Sequence, residues 1–246
     1  MPTQYQASPR LYHRRSFLST CCAAAAMTFV ASGPLVSAAY AAALTKAQRE
    51  KLTPDQILEL MKKGNKRFYT GQREDYNFLA QQRATAAGQY PAAVLLSCID
   101  SRAPAETIMD LRIGDIFNCR IAGNVENSDI LGSMEFACKI AGAKVVLVMG
   151  HTSCGAIKGA IDNAQLGNLT GLLAKIKPAV DATTYAGERT AANYAFVDAV
   201  ARKNVEITIA DIRKDSPVLA ELESQKTIKI AGGMYNLKTG VVDFFG

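Results

Sequence analysis

Continuous apolar runs alternate with helical patterns through the middle of the chain. Residues 92–96 and 145–149 are short, uninterrupted apolar runs of the kind that forms strands buried on both faces, and residues 116–121 also predict a strand. Between these runs a helix is predicted, with Ser128 as its N-cap and Gly142 just past its end. Strands that alternate with helices in this way predict an α/β fold with a mainly parallel sheet.

Two helices are predicted before the first of these strands. Thr53, Pro54 and Asp55 supply an N-cap, a first-turn proline and a first-turn acid for one helix, and residues 78–87 form the other. Their apolar residues have no obvious partner face nearby in the sequence. We therefore expect these helices to pack on a neighbouring subunit.

The C-terminal third has a mixed pattern. Residues 187–203 have helical spacing with Tyr194 on the inward face. Residues 205–209 alternate like a strand, but residues 210–214 could continue the segment as a helix, so periodicity alone leaves this segment open. Residues 227–231 and 241–245 flank a turn and predict an antiparallel pair that finishes the sheet.

The first 41 residues differ from the rest in composition. Arg14 and Arg15 precede a small, Ala-rich apolar stretch at 21–36, and Ala-Tyr-Ala at 39–41 suits signal cleavage. The pattern resembles a twin-arginine export signal. We expect residues 1–41 to be removed and residues 42–246 to form one exported domain, periplasmic and free of the membrane. The alternative is an uncleaved N-terminal anchor helix. Gly33 and Pro34 interrupt the apolar stretch and disfavour such a helix.

Removal of this segment changes the charge. The whole chain has 28 Lys and Arg against 22 Asp and Glu, and the signal segment holds three arginines and no acid. The remainder therefore has 25 basic side chains against 22 acidic ones, scattered along the sequence. This distribution shows no nucleic-acid-binding footprint.

Two of the six cysteines lie in the predicted signal, and four remain. Exported proteins usually use cysteines in disulfides. A twin-arginine signal, however, carries folded cargo, so a metal ion could be bound in the reducing cytoplasm first. Cys119 and Cys138 lie within apolar patterns and are expected to be small buried hydrophobes.

The other two cysteines lie close to predicted strand ends. Cys98 follows one strand, and His151 and Cys154 follow another. Because the carboxyl ends of parallel strands lie side by side, these three side chains are expected to meet. Thiolates and an imidazole favour zinc. A lone histidine is more often an ordinary core or surface residue, but His151 is the only histidine after residue 41.

The fourth ligand position has two candidate occupants, Asp100 and water. Arg102, two residues after Asp100, can hold the carboxylate in a bidentate pair and keep it off the metal. The site would then be open to substrate. The alternatives are a closed site with Asp100 as a ligand, and an ordinary surface ion pair contributing about 0–1 kcal/mol.

Together these motifs resemble one enzyme family. Cys-Ile-Asp-Ser-Arg at 98–102 with His-Thr-Ser-Cys-Gly-Ala at 151–156 is similar to the β-class carbonic anhydrases, and the similarity extends from Gly-Asn-Lys-Arg-Phe at 64–68 to 235–240. The resemblance implies four parallel strands with an added antiparallel strand, flanked by helices. It implies dimers or larger oligomers whose N-terminal helices embrace a neighbouring subunit. It also makes residues 205–214 helical.

The resemblance further assigns roles to particular residues. It implies one zinc ion per subunit held by Cys98, His151 and Cys154, with Asp100 and Arg102 as a gating pair. It implies substrate contacts from Gln89, Phe117, Phe136 and Gly155. Phe136 stands where one subgroup often has tyrosine, so a polar contact is missing, and Ile121 stands where the family commonly has asparagine.

The implied activity is the reversible hydration of CO₂ to bicarbonate and a proton, with CO₂ and bicarbonate as small-molecule partners. Hydrolysis of carbonyl sulfide or carbon disulfide at the same zinc is one alternative. A non-catalytic zinc or thiol-redox protein, with Asp100 always on the metal, is another. Arg102 disfavours the last alternative, because a structural site does not need it.

Overall fold

The computed structural model describes residues 43–246, all within one unit of the chain, Val36–Gly246. The predicted export signal at 1–41 lies outside the described residues. The strands of the sheet are, in chain order, β1 (Ala93–Ser97), β2 (Ile116–Arg120), β3 (Val145–His151), β4 (Lys229–Tyr235) and β5 (Val242–Phe245). They lie in the order β2-β1-β3-β4-β5, the first four parallel and β5 antiparallel to β4. The expected sheet is therefore confirmed.

Helices cover both faces of this sheet. The α-helices of the described region are α1 (Lys46–Lys51), α2 (Pro54–Tyr69), α3 (Phe78–Thr85), α4 (Ala105–Ile108), α5 (Ser128–Glu135), α6 (Gly155–Ile161), α7 (Gly167–Ala182), α8 (Tyr194–Asp215) and α9 (Pro217–Ser224). Alternate residues of β1 face opposite sides. Val94 and Leu96 share one core with Val200 of α8, and Leu95 shares a second core with Ile57 and Met61 of α2.

The helix that begins after Thr53 packs on its own chain. The Thr53 side chain accepts a hydrogen bond from the Gln56 amide, as expected of an N-cap, and Pro54 opens α2. Ile57 and Met61 are buried against the sheet of their own chain, so the premise that this face of α2 lacks a partner was wrong, and the contact of the N-terminal helices with a neighbouring subunit stays a prediction. The strands that cover this face of α2 begin some forty residues later in the chain, so the sequence around α2 does not show them. On α3, Phe78 and Leu79 remain 54% and 68% exposed.

The observed helix α5 differs in two details from the helix predicted to begin after Ser128. Its N-cap is Asn127, whose side chain accepts from the Ile130 amide. After Glu135 the helix continues as a π turn, Phe136–Ile140, which rotates the following side chains relative to a regular helix. Phe136 and Ile140, the first and last residues of this turn, are 50% and 73% exposed.

The long helix α8 resolves the ambiguous C-terminal segment. Residues 205–209 are helical, and Val205, Ile209 and Ile212 are buried along α8. The helix begins later than predicted, at Tyr194, which is exposed instead of facing inward. The sequence pattern did not reveal α7 or α9. Within the described region, no helix combines the length and apolar character needed to cross a membrane.

A buried carboxylate ties α2 to the turn after α4. Asp110 is fully buried; Arg67 Nε donates to it at 2.6 Å, Arg73 Nε at 3.1 Å and the Glu74 amide at 3.2 Å. Burial alone would raise the pKa of Asp110, but these donors outweigh burial and lower it below its ordinary value. The charged form is therefore the one that stabilises the fold.

This balance predicts acid sensitivity. Ionised Asp110 stabilises the fold fully at pH values above its unfolded-state pKa of about 3.9. This stabilisation is lost as the pH falls through the lower pKa that Asp110 has in the folded state. Urea unfolding at pH 7 and in steps below pH 4 should show wild-type stability falling with pH. Asp110→Asn should be less stable at pH 7 and lose less stability on acidification. An equal loss in the two proteins would contradict this role.

Candidate metal centre

The register of the sheet brings two loops to one edge. Ser97, the last residue of β1, lies opposite Met149 of β3, and β3 ends two residues later at His151. Cys98, directly after β1, therefore emerges beside the end of β3. Cys154 is the N-cap residue of α6, three residues past His151.

Three metal-binding side chains meet at this edge. One ligand atom from each of Cys98, His151 and Cys154 lies within 4.8 Å of the others, and the two sulfur atoms are 3.9 Å apart. All three residues are buried. The cluster predicted from strand ends is therefore present.

The histidine is oriented as a ligand. His151 Nδ1 lies 3.0 Å from the Thr152 carbonyl oxygen, and a proton on Nδ1 donated there leaves the lone pair on Nε2. His151 Nε2 is buried and has no hydrogen-bond partner. A buried acceptor beside two thiols is suited to binding a cation, and two sulfurs with one imidazole nitrogen fit zinc.

The two thiols are electrostatically linked. The hydrogen bond with Cys154 lowers the pKa of Cys98, and the same contact, together with burial, raises the pKa of Cys154. The pair therefore favours holding one proton between two sulfurs. A bound dication would hold both as thiolates, because metal binding displaces thiol protons.

The other two described cysteines are separate from the cluster. Burial raises the pKa of the Cys138 thiol to about 12 and also raises that of the half-buried Cys119. All four described cysteines are free thiols. Cys138 lies in the hydrophobic core, where it was expected, and Cys119 packs at its margin.

Two residues beyond the predicted set fix the Cys98 loop. Arg120, at the end of β2, donates from Nε to the Cys98 carbonyl at 3.0 Å and from Nη2 to the Asp100 carbonyl at 2.5 Å. The Gly123 amide donates to Cys98 Sγ at 3.4 Å. Sequence reasoning missed both. The signal that could have found them is the end of a third parallel strand, which lies at the same edge.

Asp100 and Arg102 form a bidentate pair. Arg102 Nε donates to Asp100 Oδ1 at 3.0 Å and Nη2 to Oδ2 at 2.8 Å, while the Arg102 amide donates to Oδ1 at 2.9 Å. The Arg102 guanidinium lowers the pKa of Asp100 to about 2, so Asp100 is ionised at neutral pH. Asp100 Oδ2 lies 3.8 Å from His151 Nε2 and is not one of the three clustered ligands.

The four residues that were expected to contact substrate do not all lie near the three metal ligands. Gly155 follows Cys154 directly and is exposed, and a Cβ there would meet nothing within 4 Å. Gln89 is exposed and lines a pocket that includes no ligand residue. Phe117 and Phe136 contact each other edge to face, with ring centroids 6.1 Å apart, and line another groove. Within one chain, Gln89, Phe117 and Phe136 are not brought to the cluster.

Comparison with known proteins gives a consistent result. A family profile described as "Carbonic anhydrase" matches residues 93–242. Carbonic anhydrase 2 of Mycobacterium tuberculosis is 34% identical over 186 residues, covering 73% of this chain and 87% of that protein.

Solved structures resemble the chain over a similar extent. The β-carbonic anhydrase CafA of Aspergillus fumigatus has a TM-score of 0.60 and 25% identity, covering 68% of this chain and 81% of its own. A tetrameric β-carbonic anhydrase of Sordaria macrospora has a TM-score of 0.57 and 27% identity, covering 65% and 83%.

The cluster predicts which thiols control metal content. Cys154→Ala should bind zinc far more weakly, because zinc loses one of its three protein ligands. Cys138→Ala is the matched control, a second buried free thiol outside the cluster, and should retain about one zinc per chain. Elemental analysis after gel filtration measures both. Full zinc content in Cys154→Ala would contradict the assigned site.

Proposed function

The chain belongs to the β-carbonic anhydrase family, and we propose that its Cys98–His151–Cys154 centre binds zinc and catalyses the reversible hydration of CO₂ to bicarbonate and a proton. That reaction is the activity of the family. The observation that carries the assignment to this chain is the unpartnered, buried His151 Nε2 between two thiols. These three side chains would hold the zinc ion, which would act as a Lewis acid and lower the pKa of bound water to about 7.

The Asp100–Arg102 pair is proposed as the gate of the site. Arg102 uses two guanidinium nitrogens on one carboxylate, which fixes the plane and direction of Asp100 as well as its charge. An ionised Asp100 accepts hydrogen bonds and cannot donate them. Asp100 lies near His151 and can orient the attacking water by accepting a hydrogen bond from it. Asp100 is expected to leave the fourth metal position open while this pair persists.

The N-terminus of α6 offers a donor for the product. Gly155 is the first residue of α6, and the first amides of a helix have no intrahelical partner. The amide of an exposed residue directly after Cys154 can therefore donate to a bicarbonate oxygen. A side chain at position 155 would occupy this open space.

A second copy of the chain is proposed to complete the site. Gln89, Phe117 and Phe136 line surface pockets apart from the metal cluster of their own chain. Ile99 in the Cys98 loop is exposed, as are Phe136 and Ile140. Exposed apolar side chains such as these favour a subunit interface. We expect a dimer or larger assembly, and a monomer in sedimentation of the zinc-loaded protein at micromolar concentration would contradict it.

Export is proposed from the sequence pattern at 1–41 alone. The twin arginines, the Ala-rich stretch and Ala-Tyr-Ala support a periplasmic location. Replacement of Arg14 and Arg15 by lysine in the full chain should retain the protein in the cytoplasmic fraction. Unchanged fractionation would contradict the proposal.

The catalytic assignment is tested by stopped-flow CO₂ hydration of the zinc-loaded protein. Activity that depends on zinc is expected, and parallel assays with carbonyl sulfide and carbon disulfide test the related hydrolyses. A zinc-loaded protein that leaves CO₂ hydration at its uncatalysed rate would contradict the function.

Arg102→Ala tests the gate. Loss of the guanidinium should leave zinc content near one per chain, because Arg102 contacts no ligand atom directly, and should reduce CO₂ hydration by at least about tenfold, as expected when a positioned acid–base group is disturbed. Arg83→Ala, on α3 and away from the cluster, is the control. Full activity in zinc-loaded Arg102→Ala would rule out the proposed gate.

A further inference from the structure

The short turn between His151 and Cys154 must hold two ligands at a fixed separation. Only Thr152 and Ser153 lie between them, so the backbone of these two residues sets the spacing. Thr152 is tied to the end of β4: its amide donates to the Tyr235 carbonyl at 2.9 Å, and its hydroxyl accepts from the Leu237 amide at 3.0 Å. The first half of the turn is therefore anchored to the sheet.

Ser153 forms the second half in an unfavourable conformation. Its φ is +56°, in the left-handed region that residues with a Cβ seldom adopt. Such a backbone persists when its surroundings hold it. The Ser153 amide donates to Asp198 Oδ1 at 2.7 Å, a charge-assisted hydrogen bond of the strong kind.

Asp198 is held in place by a well-packed helix. It lies in the first turns of α8, where Phe196, Val197 and Val200 are fully buried. The same helix also contacts the segment after β2 that lies beside Cys98: Asn204 Nδ2 donates to the Gly123 carbonyl at 2.7 Å, and the Gly123 amide donates to Cys98 Sγ. One helix therefore contacts the turn between His151 and Cys154 directly and Cys98 indirectly, through Gly123.

We propose that Asp198 is a positioning residue for the metal centre. Its carboxylate holds Ser153 in the left-handed conformation and thereby fixes Cys154 relative to His151. The inference rests on the proposed zinc function and adds a residue to it. Without the acceptor, Ser153 relaxes toward a common backbone conformation. His151 and Cys154 are then no longer at the separation that tetrahedral coordination of a single ion needs.

Three variants of the full protein separate positioning from general stability. Asp198→Ala removes the acceptor, and Asp198→Asn keeps an amide oxygen that can accept the same hydrogen bond. Asp211→Ala changes a half-buried aspartate of the same helix and is the matched control. If Asp198→Ala does not fold, Asp198→Ser, which is too short to reach the amide, replaces it.

The readouts are zinc affinity, by competition with a chromophoric chelator, and the absorption spectrum of the cobalt-substituted protein, which reports ligand geometry. Asp198→Ala should bind zinc about 10- to 100-fold more weakly, the range seen for residues that orient metal ligands, with a changed cobalt spectrum. Asp198→Asn and Asp211→Ala should resemble the wild type.

Wild-type affinity and spectrum in Asp198→Ala would overturn the proposal. So would equal defects in the alanine and asparagine variants, because the asparagine retains an acceptor. A wild-type protein that binds no zinc would instead contradict the proposed function, so the two failures are distinguishable.

Discussion

The parallel register of β1 and β3 is the constraint on which the site depends. Both strands are buried along their whole length, and alternate residues of β1 belong to different hydrophobic cores. A slip of one residue would exchange these faces and bury the wrong side chains on both. The same packing that fixes Ser97 opposite Met149 thus fixes where Cys98 and His151 leave the sheet. Core stability and ligand convergence are one structural requirement.

Beyond the strand ends, each loop is held by a different part of the fold. Arg120 of β2 binds two carbonyls of the Cys98 loop, and the end of β4 binds Thr152. Helix α8 contacts the Ser153 amide and the Gly123 carbonyl. The ligands are therefore presented by loops, but rigid elements restrain those loops from several directions. Such restraint is what a metal centre needs to select one coordination geometry.

Sequence reasoning predicted the parts of this arrangement that depend on local pattern. Continuous apolar runs identified β1 and β3, and the chemistry of Cys98, His151 and Cys154 identified the metal donors. It missed interactions that join distant segments, such as Asp198 with Ser153, because a carboxylate on an amphipathic helix has no local feature that marks its acceptor role. It also left the apolar face of α2 without a partner in its own chain, because the covering strands lie far along the sequence. Residues 205–209 alternate like a strand, and only the family resemblance favoured a helix there.

We expect zinc to bind to Cys98, His151 and Cys154 while Arg102 keeps Asp100 off the metal. Anomalous diffraction from crystals of the zinc-loaded protein at neutral pH tests it most directly. The expected result is one zinc peak about 2.3 Å from each sulfur and about 2.0–2.1 Å from His151 Nε2, with Asp100 still paired to Arg102. Absence of a peak among these three side chains, or an Asp100 carboxylate bound to zinc with Arg102 turned away, would contradict it.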